Sequence, residues 1–65
     1  MKVREVLRIL RDDGWSVHST SGSHRQLKHP IKTGRVTVAG KESATLHPKT
    51  LKSIWRQAGL DGPDG

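Results

Sequence analysis

The apolar residues of this chain change period twice, and that double change limits the folds open to it. Val3, Val6, Leu7 and Leu10 recur at i, i+3, i+4, i+7, the spacing that gathers side chains on one face of an α-helix. Arg4, Glu5, Arg8 and Arg11 fill the rest of the circumference. An amphipathic helix is predicted over residues 2–13, ended by Gly14, because glycine takes the left-handed conformation common after a helix C-terminus. Leu51, Ile54, Trp55 and Ala58 repeat the spacing, with Pro48 in the first turn and Gly59 just past the end. Between these helices the period falls to two. Trp15, Val17 and Ser19 alternate with Ser16, His18 and Thr20, and Val36 and Val38 alternate with Arg35 and Thr37. The segment from His24 to His29 alternates more weakly around Leu27.

Register follows from parity, since directly opposed residues of an antiparallel pair share a face. A two-residue turn at Ser21-Gly22 would set Gln26 opposite Val17 and bury an amide. A three-residue loop, Ser21-Gly22-Ser23, sets Val17 opposite Leu27, Trp15 opposite His29, His18 opposite Gln26 and Thr20 opposite His24. The odd-length loop is therefore expected, with Gly22 supplying a positive φ. The resulting architecture is α+β, in the order α-β-β-β-α. It has a three-stranded antiparallel sheet and both helices on the face that carries Trp15, Val17, Leu27, Val36 and Val38. The opposite face would hold Ser16, His18, Thr20, His24, Gln26, Lys28, Arg35 and Thr37, with no apolar residue among them. One domain spans residues 1–60. The run Asp61-Gly62-Pro63-Asp64-Gly65 has almost nothing to bury and is expected to be a disordered tail.

Twelve Lys and Arg against six Asp and Glu give a net charge of +6 on 65 residues, a balance that favours a polyanionic partner such as nucleic acid. The absence of cysteine excludes disulfides and thiolate zinc sites. Met1-Lys2-Val3-Arg4-Glu5 opens directly into the amphipathic pattern with no apolar run for a leader or a membrane span, so a cytoplasmic protein that does not enter the membrane is expected.

The catalytic vocabulary is narrow. A nucleophilic serine needs a histidine oriented by a carboxylate, and no carboxylate lies in any of the three strands, which disfavours a hydrolase triad. Of the four histidines, parity turns His29 away from His18 and His24, and no acidic residue joins them; neither a metal nor another cofactor is expected. RNA cleavage needs less. The ribose 2′-hydroxyl is an internal nucleophile, so a protein must mainly remove its proton, stabilise the anionic transition state and protonate the leaving oxygen. An imidazole with cationic neighbours can begin that reaction. His24 is the best placed, at the start of a strand beside Gly22 and Ser23, where a substrate backbone can approach closely. His18 would assist as an acid or bind phosphate. His29, sharing a face with Leu27 and preceding Pro30, reads as a partly buried structural residue, and His47 as a residue at the start of the second helix.

Several blocks together resemble the HicA toxins of bacterial and archaeal toxin–antitoxin pairs. They are Gly22-Ser23-His24-Arg25-Gln26, Lys28-His29-Pro30, Gly34-Arg35-Val36-Thr37-Val38 and Thr50-Leu51-Lys52-Ser53-Ile54-Trp55-Arg56-Gln57-Ala58-Gly59-Leu60, with Val3-Arg4-Glu5-Val6 and Asp13-Gly14-Trp15 before them. The resemblance covers residues 1 to 60 and departs from the family pattern at Ala39, where a proline often follows the third strand. It implies an mRNA interferase on a double-stranded-RNA-binding-like fold, with His24 as the catalytic histidine and a HicB antitoxin covering the site. By charge and by nearness in sequence or pairing, Arg25, Lys28 and Arg35 are expected to hold phosphate, with Ser23, Gln26, Thr20 and His18 in support. A non-catalytic RNA-binding module on the same fold is the alternative. Trp15 and Trp55, both at core positions, leave no stacking platform for sequence-specific single strands.

Overall fold

The structure, a computed structural model, describes residues 1–60, so the expected tail at 61–65 lies outside the described residues. Two helices and three strands follow in the expected order: α1 (Val3–Asp13), β1 (Ser16–Ser21), β2 (His24–Lys28), β3 (Val36–Ala39) and α2 (Pro48–Ala58). Both helices end as their glycines predict, Gly14 at φ 111° and Gly59 at φ 67°, each donating its N–H back into the last turn. Pro48 opens α2, where its missing N–H is not needed. No side chain caps α1. Carbonyls of the loop before α2 do so instead, Ala44 O accepting from Val3 N–H at 2.9 Å and Glu42 O from Arg4 N–H at 3.1 Å.

The sheet is antiparallel with β2 in the centre. Leu27 pairs with Val36 and Arg25 with Val38, so these four share a face. The apolar side chains of both helices (Val3, Val6, Leu7 and Leu10 of α1; Leu51, Ile54, Trp55 and Ala58 of α2) join Trp15, Leu27, Val36 and Val38 in one buried cluster. Both helices therefore lie on that face, and the other face is left uncovered. At about 1.5–3 kcal/mol for each large apolar side chain removed from water, this single cluster is the main source of stability in a chain without disulfides.

Two details of β1 depart from expectation. Val17 does pair with Leu27, but it remains 38% exposed, and every residue of β1 is exposed. The cause is position. Both helices pack toward β3, one edge of the sheet, so β1 at the opposite edge carries the alternating pattern without the cover. The second departure is register. The loop is not three residues long but two, Gly22-Ser23, with Ser21 opposite His24, Thr20 opposite Arg25 and Ser19 opposite Gln26. A β-bulge between Val17 and Ser19, with His18 as the unpaired residue, absorbs the difference. Gly22 at φ 59°, followed by Ser23 without positive φ, is the pattern of the type II′ turn, whose twist matches paired strands and whose first position favours glycine. The bulge thus keeps Val17 against Leu27 while the tight turn forms. Among the described residues no helix is long and apolar enough to cross a membrane.

Candidate nucleic-acid interface

Because each bulge or register step turns side chains to the opposite face, the composition of the uncovered face follows from the observed pairing. β2 places His24, Gln26 and Lys28 there. Their partners on β3 are Ala39 for His24 and Thr37 for Gln26, and on β1 Ser21, Ser19 and Ser16 for His24, Gln26 and Lys28 in turn. His24 is exposed, and Gln26 and Lys28 are half-exposed. Arg35, just before β3, donates from Nη1 to Gln26 Oε1 at 3.0 Å. His24, Gln26, Lys28 and Arg35 are thus brought to one surface: an imidazole, an amide and two cations in a row, with serine hydroxyls along one margin.

Three other sequence candidates are placed elsewhere. Thr20 faces Arg25, not His24, and His18 occupies the bulge, not the position opposite Gln26; both corrections follow from the extra residue in β1. Arg25 lies on the helix-packed side by its pairing with Val38, half-buried. Its Nη1 donates to Gly40 O at 2.8 Å and to Ser23 O at 3.4 Å. Ser23 O also accepts from Gly40 N–H at 3.1 Å. The guanidinium therefore fastens the turn that carries His24 to the end of β3. Ser23 contributes its backbone to this clasp and leaves its side chain exposed.

His29 is the partly buried structural residue its sequence position suggested. Its Nδ1 accepts from Ile31 N–H and Lys32 N–H, both at 3.0 Å, so the ring proton sits on Nε2, which donates to Asp13 O at 2.6 Å. The ring also meets Trp15 edge-on, with centroids 5.2 Å apart. Around it is a charged knot that sequence patterning did not disclose. Lys32 Nζ bonds Asp13 Oδ2 at 2.6 Å and Ala58 O at 2.9 Å, tying the C-termini of α1 and α2 together, and Trp15 Nε1 donates to the same carboxylate oxygen at 3.2 Å. The bonded Lys32 ammonium holds the Asp13 carboxyl below its ordinary value, against a smaller upward push from desolvation. Lys32 at a helix C-terminus also suits the negative end of the dipole.

Sequence reasoning also missed Ser19 and Ser21 as members of the uncovered face. Three consecutive small polar residues, Ser19, Thr20 and Ser21, carry no apolar marker of which way each points. Among the described residues, no three His, Cys, Asp or Glu side chains converge as a metal-binding group.

Compared with known families, residues 3–60 fit the one described as HicA toxin of bacterial toxin-antitoxin. Among curated proteins, no significant match to the chain is found.

Proposed function

The chain belongs to the HicA toxin family of bacterial toxin–antitoxin systems, and from this premise we propose that it is an endoribonuclease that cuts mRNA and so blocks translation, with His24 as its proton-transfer residue. The observation that carries the proposal is the uncovered sheet face. It presents an exposed imidazole on the same face as Gln26, Lys28 and Arg35, with Gln26 between it and the two cations, and no apolar core residue competes for that surface.

The chemistry assigned to these groups is internal transesterification. The neutral His24 imidazole takes the proton of a ribose 2′-hydroxyl, and the 2′-oxygen attacks the adjacent phosphorus. The P–O5′ bond then breaks, leaving a 2′,3′-cyclic phosphate on one product and, after protonation by solvent, a 5′-hydroxyl on the other. Lys28 and Arg35 neutralise charge on the phosphate, and the Arg35–Gln26 hydrogen bond holds both side chains in place before substrate arrives. Arg25 serves this site by clasping its turn. The family acts with an antitoxin partner; a HicB-type protein that covers the His24 face is the proposed inhibitor.

The test is His24→Ala. Expected is a folded protein by circular dichroism that neither cleaves RNA nor stops growth, while the wild type yields cyclic-phosphate ends and stays active in chelator. Cleavage at the wild-type rate by His24→Ala would overturn the assignment.

A further inference from the structure

The register of the first hairpin gives His24 a neighbour the sequence did not suggest. Ser21 is its direct cross-strand partner on β1, and Ala39 is its partner on β3. Ala39 has no polar side-chain atom. Gln26, two residues along the same strand, already accepts from Arg35. Ser21 is therefore the polar residue paired directly with His24 on the uncovered face.

Directly opposed residues in an antiparallel pair have Cβ atoms about 5 Å apart. Serine Oγ stands one bond out from Cβ and histidine Nδ1 two bonds out, so rotation about χ1 brings Oγ and Nδ1 within hydrogen-bonding distance. Nδ1 is the ring nitrogen nearer the backbone, so a bond to it leaves Nε2, farther from the backbone, for substrate. Both side chains are exposed, and among the described residues neither makes a side-chain hydrogen bond in the rotamer observed, to the other or elsewhere. The turn that joins them is held by Arg25 to Gly40 and Ser23, which anchors its His24 side to the end of β3.

We propose that Ser21 is a positioning residue for His24: its Oγ accepts Nδ1–H, which sets the tautomer that leaves the Nε2 lone pair free to take the 2′-hydroxyl proton. This rests on the endoribonuclease reading above. A base oriented by a third group recurs wherever a histidine must present one particular nitrogen, and here a hydroxyl takes the place that a carboxylate takes in the familiar triads. The bulge at His18 is what makes this possible, since without it Ser21 would not face His24.

The experiment compares Ser21→Thr with Ser21→Val in the whole chain, two β-branched side chains of the same shape that differ by a hydroxyl. Cleavage of an RNA oligonucleotide is followed together with the ¹⁵N signals of the His24 ring. Ser21→Thr is expected to keep the wild-type kcat and the Nδ1–H tautomer. Ser21→Val should lose about fivefold in kcat at unchanged KM, the worth of one ordinary hydrogen bond, and shift the ring toward Nε2–H. Equal kcat in the two variants, or a loss in Ser21→Val with the ring signals unmoved, would overturn the inference. Cleavage that survives His24→Ala would instead overturn the endoribonuclease reading, whatever Ser21 does.

Discussion

The Lys32 ammonium stands 2.6 Å from the Asp13 carboxylate and 2.9 Å from the Ala58 carbonyl, so one side chain from the loop between β2 and β3 joins the ends of both helices. The joint titrates. Asp13 has a lower value in the folded chain than its ordinary 3.8, chiefly through the Lys32 hydrogen bond. A depressed carboxyl binds fewer protons in the folded than in the unfolded state, so its contribution to stability is present above the unfolded value and lost as pH falls through the folded one. The thermal unfolding temperature of the wild type should therefore fall as pH drops below 3.8, and that part of the loss should be missing in Asp13→Asn. Identical pH slopes in the two proteins would contradict this linkage.

Gly14 is constrained twice over. Its φ of 111° is unfavourable for any side chain, and a Cβ there would fall 2.6 Å from His29 Nε2, the atom that bonds Asp13 O. Gly14→Ala is expected to cost about 2–3 kcal/mol in urea unfolding, a large share of the margin of so small a domain. By contrast, nothing lies within 4 Å of a Cβ built at Gly22, so Gly22→Ala meets only the backbone penalty of about 1–2 kcal/mol.

Lys28 and Arg35 should betray phosphate binding through salt. Replacing either by Ala is expected to weaken RNA binding and to lower the slope of log affinity against log salt by about 0.7 for each phosphate of a single strand that is no longer neutralised. Unchanged slopes in both variants would remove this face as the RNA surface.

Arg25 should behave differently from these two. Arg25→Ala is expected to destabilise the chain by about 1–2 kcal/mol and to speed amide hydrogen exchange at Gly40, whose N–H bonds Ser23 O inside the clasp. Arg25→Lys should restore little, because one ammonium cannot reproduce a planar fork of donors. A reduced salt slope with unaltered Gly40 exchange would assign Arg25 to phosphate instead.

Helix positions, helix ends and the core apart from Val17 were legible because their signals are local. Periodic apolar residues, Pro48 and two glycines mark them without reference to the rest of the chain. The structural role of His29 was legible too, from its parity with Leu27. Two things were not. The face of each β1 residue depends on a bulge whose neighbours, Ser16 and His18 through Ser21, are all polar, so no burial pattern could reveal the shift. The Asp13–Lys32 pair joins residues that sequence treats as ordinary solvated charges, and nineteen positions apart only the fold could bring them together.

The bulge at His18 makes the length of β1 informative in itself. One residue removed between Val17 and Ser21 would let the two strands pair without interruption and would leave Leu27, Val36 and the helices where they are. It would also leave Ser21 opposite His24, because the residue lost is the one that the bulge already holds out of the pairing. A related chain one residue shorter at this point would thus keep both the core and the hydroxyl beside the histidine, and an alignment gap at the bulge would mark a change of twist and not a change of site.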